Sequence, residues 1–281
     1  MKGPRDLGMD SVGLISPKDG DIVVKVTHSG ISTGTEKLFW SGEMPPFPGM
    51  GYPLVPGYEA RGEVIESKGA PNFKVGDVVF VPGSNCYAGA HGLFGAASNF
   101  IVTAANRAIK IDRNLEEEGA LLALAATARH AIAGLNKRVP DLIVGHGVLG
   151  RLLARLTIAA GAPAPTVWET DQFRKSGAQG YEVKSPEDDS CKSYHSIYDA
   201  SGDSDILNKL VARLCKGGEI VLAGFYPKQL GFSFPPAFIK EARFRVAAEW
   251  EKEDMIATRA LVESDVLSLK GLITHNLPAS Q

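Results

Sequence analysis

Short apolar and β-branched runs, separated by glycine and proline, dominate the first part of the chain. Such runs occupy residues 21–31, 58–67, 73–84 and 100–111. The run at 73–84 contains a Gly-Asp pair between β-prone stretches, which is typical of a β-hairpin. Many short strands separated by frequent turns predict a small β-barrel or sandwich.

The pattern changes near residue 112. Residues 114–135 are rich in alanine and leucine and begin with acidic residues, which predicts a helix. Farther on, strand-like apolar runs alternate with helical patterns. The predicted strands are 140–147, 165–170, 196–202 and 218–226, and the predicted helices are 148–162 and 205–218. Such alternation predicts an α/β fold with a doubly wound parallel sheet.

Composition and charge narrow the class of protein. Apolar residues make up 44% of the chain and charged residues 22%, which is an ordinary globular balance. The net charge is −2 without a long basic run, so nothing indicates binding to nucleic acid. No apolar run approaches the length of a transmembrane segment. Three scattered cysteines suit a reducing compartment, and we expect a cytoplasmic protein.

The most specific chemical signal is a glycine-rich motif that follows a predicted strand and opens a predicted helix. Gly145 would permit the tight turn, Gly147 would let a pyrophosphate approach the backbone, and Gly150 would let the helix pack closely. Free N–H groups at the helix start favour an anion there. The residues expected to bind a dinucleotide are Gly145, His146, Gly147, Val148, Leu149 and Gly150. A glycine turn that only packs a helix is the alternative interpretation.

The end of the next predicted strand bears on the choice of cofactor. Glu169 lies there, where an acid accepts hydrogen bonds from the ribose 2′-hydroxyl and repels a 2′-phosphate. It therefore predicts NAD, although Arg174 and Lys175 follow closely. Two later strand ends are also expected to face the cofactor, or to be simple turns. They contribute Ala200, Ser201, Gly224 and Phe225.

Several segments together resemble the medium-chain dehydrogenase/reductase superfamily. They are SGISTGTE, VPGYEARGEV, FKVGDVV, GHGVLG and GLITHNLP. The resemblance implies a Rossmann doubly wound parallel sheet plus a GroES-like β-barrel catalytic domain. The barrel domain is expected at residues 1–112 with a return of 250–281, and the Rossmann domain at 113–249. Relatives pair through the last Rossmann strands, so a homodimer is a family-level expectation.

The zinc ligands of the zinc-dependent members have no counterparts in this sequence. Thr33 stands where those members have a cysteine, Tyr58 where they have a histidine, and Ala123 near the third ligand. A catalytic zinc needs three protein ligands around an open position. We therefore expect a member that binds no metal.

Within the superfamily, the 3-hydroxyethyl bacteriochlorophyllide a dehydrogenase family looks most similar. The segments ISTGTEKLFWSG, PPFPGMGYPLVPGYEARGEV, PDLIVGHGVLGRLLARL and IYDASGD carry the resemblance. It implies NAD-dependent oxidation of a chlorin or bacteriochlorin hydroxyethyl side chain to acetyl, in bacteriochlorophyll a synthesis. That family usually continues beyond the point where this sequence ends.

Alcohol oxidation without a metal requires positioned hydrogen-bonding groups and a base. Thr35 matches the hydroxyl residue that relays the proton in zinc-dependent members, or it caps a turn. Tyr58 could bond the substrate oxygen, or it fills the space of the missing zinc site. Glu59 could be a base, or it pairs with an arginine such as Arg61 or Arg151.

The segment 44–53 holds four prolines and no charge. It is too apolar for an ordinary solvated loop, and its prolines exclude a regular helix. We interpret it as one wall of a cleft for a flat apolar pigment, with packing on its own barrel as the alternative. The expected substrate contacts are Trp40, Phe47, Met50 and Tyr52.

Two other functions remain open at this point. One is a zinc-free quinone or enone reductase of the same superfamily, which would often prefer NADPH. The other is a pigment-binding or NAD-binding protein that does not catalyse a reaction.

Overall fold

A computed structural model describes residues 1–46, 48–133 and 138–280. The chain divides into two compact units, Met1–Ala123 with Asn276–Gln281, and Leu124–His275. Both boundaries differ from the expected ones, because residues 113–123 group with the first unit and residues 250–275 with the second. Gly119 lies directly against Ile111 and Arg61, which ties the former segment to the first unit.

The first unit is built on an antiparallel sheet of five strands in the order β6-β2-β3-β4-β7, beside a two-stranded pair, β1-β5. The strands are β1 (Gly13–Leu14), β2 (Asp21–Ser29), β3 (Ala60–Lys68), β4 (Val78–Val81), β5 (Tyr87–Ala88), β6 (Phe100–Ala104) and β7 (Ile109–Lys110). One helix, α1 (Thr35–Ser41), follows β2, and 3₁₀ segments occupy Ala105–Arg107 and Arg113–Leu121. Buried valine and isoleucine side chains from β2, β3, β4 and β6 form the core.

The second unit contains a six-stranded parallel sheet in the order β10-β9-β8-β11-β12-β13. Its strands are β8 (Leu142–Val144), β9 (Thr166–Trp168), β10 (Glu182–Lys184), β11 (Tyr194–Asp199), β12 (Leu214–Leu222) and β13 (Arg243–Val246). Its helices are α3 (Val148–Ala159), α4 (Leu207–Arg213), α5 (Phe234–Lys240) and α6 (Lys252–Glu263), with a 3₁₀ segment at Gln172–Arg174. A further helix, α2 (Leu122–Ile132), precedes β8 and spans the boundary between the units.

This strand order is that of a doubly wound nucleotide-binding sheet, in which the direction of winding reverses between the first and fourth strands. Here these strands are β8 and β11, which pair side by side. Ligands of such sheets bind outside the carboxyl ends of the strands at this reversal. The predicted Rossmann sheet is therefore confirmed.

Two predicted elements end elsewhere in the structure. The helix expected at 205–218 ends at Arg213, and β12 begins at Leu214, so the glycines expected to end the helix lie within a strand. The helix expected at 114–135 begins as a 3₁₀ segment with non-helical backbone at Glu116 (φ +39°). The register that places Ile220 opposite Ile197 on β11 is a tertiary constraint that local periodicity does not contain.

Candidate active site

The glycine-rich loop joins β8 to α3, as its pattern predicts. Gly145 has a φ of +95°, a conformation that suits glycine. A Cβ atom on Gly150 would lie 1.9 Å from the carbonyl oxygen of Gly145, so only glycine fits there. A Cβ atom on Gly147 would meet no atom within 4 Å. The loop thus leaves open the position where a pyrophosphate approaches the backbone in this fold.

Gly147 is also the N-cap of α3 and has no side chain to occupy the N–H groups of the first turn. These groups and the helix dipole favour an anion. Val148 and Leu149 are half-buried in that turn, and Gly150 is buried. The open position at Gly147 and the uncapped first turn of α3 are the groups that could hold a dinucleotide phosphate.

Glu169 lies at the end of β9 and reaches back to this loop. Its Oε2 accepts a hydrogen bond from the backbone N–H of His146 (3.0 Å), and its Oε1 accepts from those of Thr170 (2.8 Å) and Asp171 (2.9 Å). The carboxylate therefore holds the glycine loop to the end of β9. Its place at the second strand of the sheet is the place of the ribose-binding acid in this fold.

The side chain of His146 is buried and bonded within the protein. Its Nδ1 donates to the carbonyl of Arg174 (2.6 Å), so Nε2 accepts from the hydroxyl of Tyr181 (2.9 Å) in the neutral tautomer. Burial lowers the pKa of His146, and the positive charge of Arg151 acts in the same direction. Of the six loop residues expected to bind cofactor, His146 thus directs its side chain into the fold.

Arg151, on α3, was considered from the sequence only as a partner of Glu59, and its role beside the glycine loop was not predicted. Its guanidinium donates to the carbonyls of His146 (3.0 Å), Arg174 (3.2 Å), Ser176 (2.8 Å) and Gly177 (3.4 Å). Five fixed N–H donors make arginine suitable for such a cluster of carbonyls. The side chain connects the segment after β9 to the glycine loop. No spacing in the sequence predicts these hydrogen bonds.

The carboxyl ends of β11 and β12 meet beside the loop. Asp199, fully buried, accepts from the backbone N–H of Ser201 (2.9 Å) through Oδ1 and from the hydroxyl of Tyr226 (2.7 Å) through Oδ2. Burial raises the pKa of Asp199, and the hydrogen bonds from Ser201 and Tyr226 oppose this shift. Burial likewise raises the pKa of Tyr226, as does the charge of Asp199.

This pair brings together the strand ends that the sequence singled out. Gly145 lies close to Ala200 and Ser201, since a Cβ atom on Gly145 would lie 3.1 Å from each. A Cβ atom on Gly224 would lie 3.4 Å from the carbonyl carbon of Ala200, while Phe225 beside it is 46% exposed. Neither Asp199 nor Tyr226 was predicted to contribute, although the Asp-Ala-Ser-Gly turn contained the signal.

The catalytic candidates of the first unit lie around the loop between β2 and α1. The backbone N–H of Gly30 donates to the carbonyl of Glu59 (2.8 Å), and a Cβ atom on Gly30 would lie 2.8 Å from Glu59 Oε2. Glu59 is 2% exposed. Thr35 begins α1 and is half-buried.

The phenol of Tyr58 interacts with both Thr35 and Glu59. Burial raises the pKa of its phenol, and the charges of Glu59 and Glu36 raise it further, whereas the hydroxyls of Ser32 and Thr35 act in the opposite direction. The ring of Tyr58 also packs edge-on against Phe94, with 5.7 Å between the centroids. Thr35, Tyr58 and Glu59 are thus close neighbours, and Glu36 and Ser32, which were not predicted, belong to the same cluster.

The segment 44–53 packs largely on its own unit. Met44 is buried with Phe39 and Leu54, and both Met50 and Tyr52 lie against this cluster. The hydroxyl of Tyr52 donates to the carbonyl of Phe39.

Trp40, on α1, is 41% exposed, unlike these packed side chains. Phe47, another expected substrate contact, lies outside the described residues. Among the expected substrate contacts that the structure describes, Trp40 therefore presents the most open face.

His130 lies beside Asp254 on the second unit. Its Nδ1 lies 2.7 Å from Asp254 Oδ2, and Arg129 also bonds Asp254. Burial opposes ionisation of Asp254, yet the Glu251 N–H, His130 and Arg129 together lower its pKa. These contacts fix α2 to the first turn of α6 and agree with a packing role.

Within the described ranges 1–46, 48–133 and 138–280, no group of three or more His, Cys, Asp or Glu side chains could hold a metal ion. A metal-free reaction remains a prediction from the replaced ligand positions. In the same ranges, no helix is both long and apolar enough to span a membrane.

Comparisons with known proteins agree with this architecture. Residues 18–113 match the alcohol dehydrogenase GroES-like domain. The acetophenone reductase of Geotrichum candidum, solved with NAD, superimposes with a TM-score of 0.80 at 19% identity over 95% of this chain and 86% of that one. At this identity the likeness shows the fold alone.

Two curated relatives are far more similar. The chain is 65% identical to the 2-desacetyl-2-hydroxyethyl bacteriochlorophyllide A dehydrogenase of Cereibacter sphaeroides, and the alignment covers 100% of the chain and 90% of the relative. It is 59% identical to the protein of the same description from Rhodobacter capsulatus, with the same coverage. The predicted resemblance is thereby confirmed.

Proposed function

Because this chain belongs to the 2-desacetyl-2-hydroxyethyl bacteriochlorophyllide A dehydrogenase family, we propose that it oxidises the hydroxyethyl side chain of a bacteriochlorophyllide or chlorophyllide to acetyl, in bacteriochlorophyll a synthesis. The single observation that carries this proposal is 65% identity over the whole chain. The enzyme is an alcohol oxidoreductase.

A nicotinamide dinucleotide is the cofactor, which accepts hydride when bound. Its support is the open position at Gly147 and the uncapped first turn of α3. We assign NAD rather than NADP to this site because Glu169 places a carboxylate at the ribose-binding end of β9. Oε1 of Glu169 already accepts two backbone hydrogen bonds and Oε2 accepts one, so Oε2 retains a lone pair for a ribose hydroxyl. A 2′-phosphate would be repelled there.

Side chains of the protein remove the proton of the substrate hydroxyl in this proposal. Thr35 and Tyr58 are the groups proposed to bond the substrate oxygen, and Glu59 is the neighbouring acid. The proximity of Tyr58 to the hydroxyls of Ser32 and Thr35 supports this assignment, because a chain of hydroxyls can pass a proton. Burial of Glu59 strengthens its electrostatic effect on the cluster.

The pigment is proposed to bind against Trp40, Phe47, Met50 and Tyr52. The exposed face of Trp40 supports stacking on a flat apolar ring. Met50 and Tyr52 also pack against the cluster of Phe39, Met44 and Leu54. They would therefore contribute to binding partly by holding the shape of the loop. The homodimer and the cytoplasmic location remain predictions.

A zinc-free quinone or enone reductase has less support, because the relatives of high identity are dehydrogenases of a hydroxyethyl pigment. A pigment-binding protein without turnover has less support for the same reason. A preference for NADPH over NADH would favour the reductase. Oxidation of bound pigment by NAD in a single turnover would exclude the protein that binds without catalysis.

The test is oxidation of hydroxyethyl bacteriochlorophyllide by the full chain with NAD or NADP, followed by absorbance of the reduced cofactor and of the acetyl pigment. We expect reduction of NAD with a higher kcat/KM than with NADP. Glu169→Gln should narrow this preference by roughly 10- to 100-fold, since a hydrogen bond to a charged group contributes about 1.5–3 kcal/mol. Absence of pigment oxidation with either cofactor would overturn the proposal, and a preference for NADP would overturn the role of Glu169.

A further inference from the structure

The carboxyl group of Glu36 is buried, and only one of its two oxygens accepts a hydrogen bond within the described residues. The residue is 6% exposed, on the second position of α1. Its Oε2 accepts a hydrogen bond from the backbone N–H of Ser32 (2.9 Å). Its Oε1 is buried without a hydrogen-bond partner among residues 1–46, 48–133 and 138–280. A buried unpartnered carboxyl oxygen costs stability, so a purely structural cap does not account for this arrangement.

Glu36 lies in the cluster that contains the proposed catalytic hydroxyls. Its charge raises the pKa of the Tyr58 phenol, and the hydroxyls of Ser32 and Thr35 adjoin that same phenol. The titratable groups that face this cluster from the segment before β3 are Tyr58 and Glu59. On α1 itself, Lys37 is exposed. Within the described residues, no cation is among the causes of the Glu36 shift.

Burial raises the pKa of Glu36 from its ordinary 4.5 to about 7, although the backbone N–H groups of Glu36 and Ser32 oppose this shift. A general base is most effective when its pKa lies near the working pH. Perturbed acids of this kind occur often at functional sites, and here the geometry is independent support.

We propose that Glu36 receives, by way of the Thr35 and Tyr58 hydroxyls, the proton that the substrate alcohol loses. The inference rests on the proposed function. The O–H bond of the alcohol breaks and an O–H bond forms on Glu36, while the carbinol C–H electron pair leaves as hydride to the nicotinamide and the C=O bond forms. The proton then passes from Glu36 to solvent. Because Glu36 acts through other hydroxyls, it is a positioning and relay residue rather than a group that touches substrate.

The test compares the pH profiles of kcat/KM for wild type and Glu36→Gln with hydroxyethyl bacteriochlorophyllide and NAD. Glutamine keeps an oxygen that can accept from the Ser32 N–H but cannot take up a proton. We expect wild-type activity to rise with pH through about 7. The variant should lose roughly 10²- to 10⁴-fold in rate and lose that ionisation.

Glu43→Gln is the matched control, because Glu43 is an exposed carboxylate just beyond α1. It should retain both the rate and the ionisation. Circular dichroism and NAD affinity equal to those of wild type would establish that Glu36→Gln is folded. A carboxylic-acid band in the infrared difference spectrum across neutral pH, present in wild type and absent in Glu36→Gln, would support the proposal.

The failures of the two proposals are distinguishable. A wild-type enzyme that does not oxidise the pigment overturns the proposed function and the relay with it. An active Glu36→Gln enzyme that keeps the wild-type ionisation overturns the relay alone. A uniform loss of rate with the ionisation intact shows that Glu36 only shapes the loop, which also overturns the relay.

Discussion

Three glycines at the turn from β8 into α3 meet three different physical demands. Gly145 adopts a φ of +95°, Gly150 allows close contact with a carbonyl oxygen, and Gly147 borders open space. All three demands follow from the spacing of the motif, since a strand-to-helix turn that binds phosphate needs each of them. Sequence therefore predicts the turn at Gly145 and the close packing at Gly150, and phosphate binding at Gly147 stays a prediction.

Alanine substitutions distinguish the role of Gly150 in stability from the role of Gly147 in NAD binding. Gly150→Ala should lower the free energy of unfolding by about 3 kcal/mol, because its Cβ would overlap backbone. Gly147→Ala should stay within about 1 kcal/mol of wild type, since its Cβ meets open space and the loss is that of an N-cap glycine. Its NAD dissociation constant should nevertheless rise at least about 10-fold.

Denaturant unfolding and calorimetric titration with NAD provide the measurements for this pair, each variant serving as the control for the other. Equal NAD affinity of Gly147→Ala and wild type would show that no phosphate approaches that position.

At the scale of elements, one arginine joins α3 to the segment after β9. Arg151 bonds four carbonyls, two of which belong to Ser176 and Gly177. These four contacts were not predictable, because a helical pattern does not indicate which carbonyls the side chain of Arg151 will meet. Only the packing of the loop against the helix creates the cluster of carbonyls.

Arg151→Lys should loosen this segment while preserving charge. Lysine lacks the planar fork of donors, so several of the four hydrogen bonds should be lost. Amide hydrogen exchange at residues 174–178 should accelerate, and NAD affinity should fall roughly 10-fold, which corresponds to about 1.4 kcal/mol. Arg243→Lys is the control, since Arg243 is exposed on β13. Unchanged exchange in Arg151→Lys would contradict the fastening role.

The segment 44–53 shows what amino-acid composition can predict about a loop and what it cannot. Its apolar character predicted a pigment wall or packing on its own barrel, and the structure places Met44 in a buried cluster with Met50 and Tyr52 against it. Trp40, which lies outside the segment, keeps an exposed face. Composition alone could not distinguish these side chains, because exposure depends on the neighbouring helix α1.

Trp40→Ala should raise the KM for pigment roughly 10-fold through loss of stacking, and leave NAD affinity unchanged. Tyr52→Phe keeps the ring but removes the hydrogen bond to the Phe39 carbonyl. It should lower stability by about 1 kcal/mol with little change in pigment KM. Steady-state kinetics and thermal unfolding distinguish the two. If Trp40→Ala weakens NAD and pigment equally, the residue supports the scaffold and does not contact substrate.

At the scale of the whole molecule, burial of Glu36 makes stability depend on pH. Its folded pKa of about 7 exceeds the ordinary 4.5, so the protonated carboxyl favours the folded state. The stabilisation is complete below pH 4.5 and is lost as pH rises to about 7, where the folded protein must ionise a buried acid.

Glu36→Gln removes this dependence. From about pH 4.5 to above pH 7, the stability of the variant relative to wild type should increase by about 3 kcal/mol, the equivalent of the pKa difference. Denaturant unfolding at several pH values measures it, and Glu43→Gln should show no such trend. A constant difference across this range would show that Glu36 does not titrate with a raised pKa.

The sequence by itself determined the two kinds of fold, the glycine loop with Glu169, and the family. These features are encoded in local patterns, because backbone conformation and strand-to-helix turns require particular residues at fixed spacing. The tertiary structure alone decided which polar groups are buried and what they bond. Burial leaves Oε1 of Glu36 without a hydrogen-bond partner within the described residues, and contacts between segments create the carbonyl cluster at Arg151 and the pairing of Asp199 with Tyr226. Such contacts depend on register and packing, which no local pattern specifies.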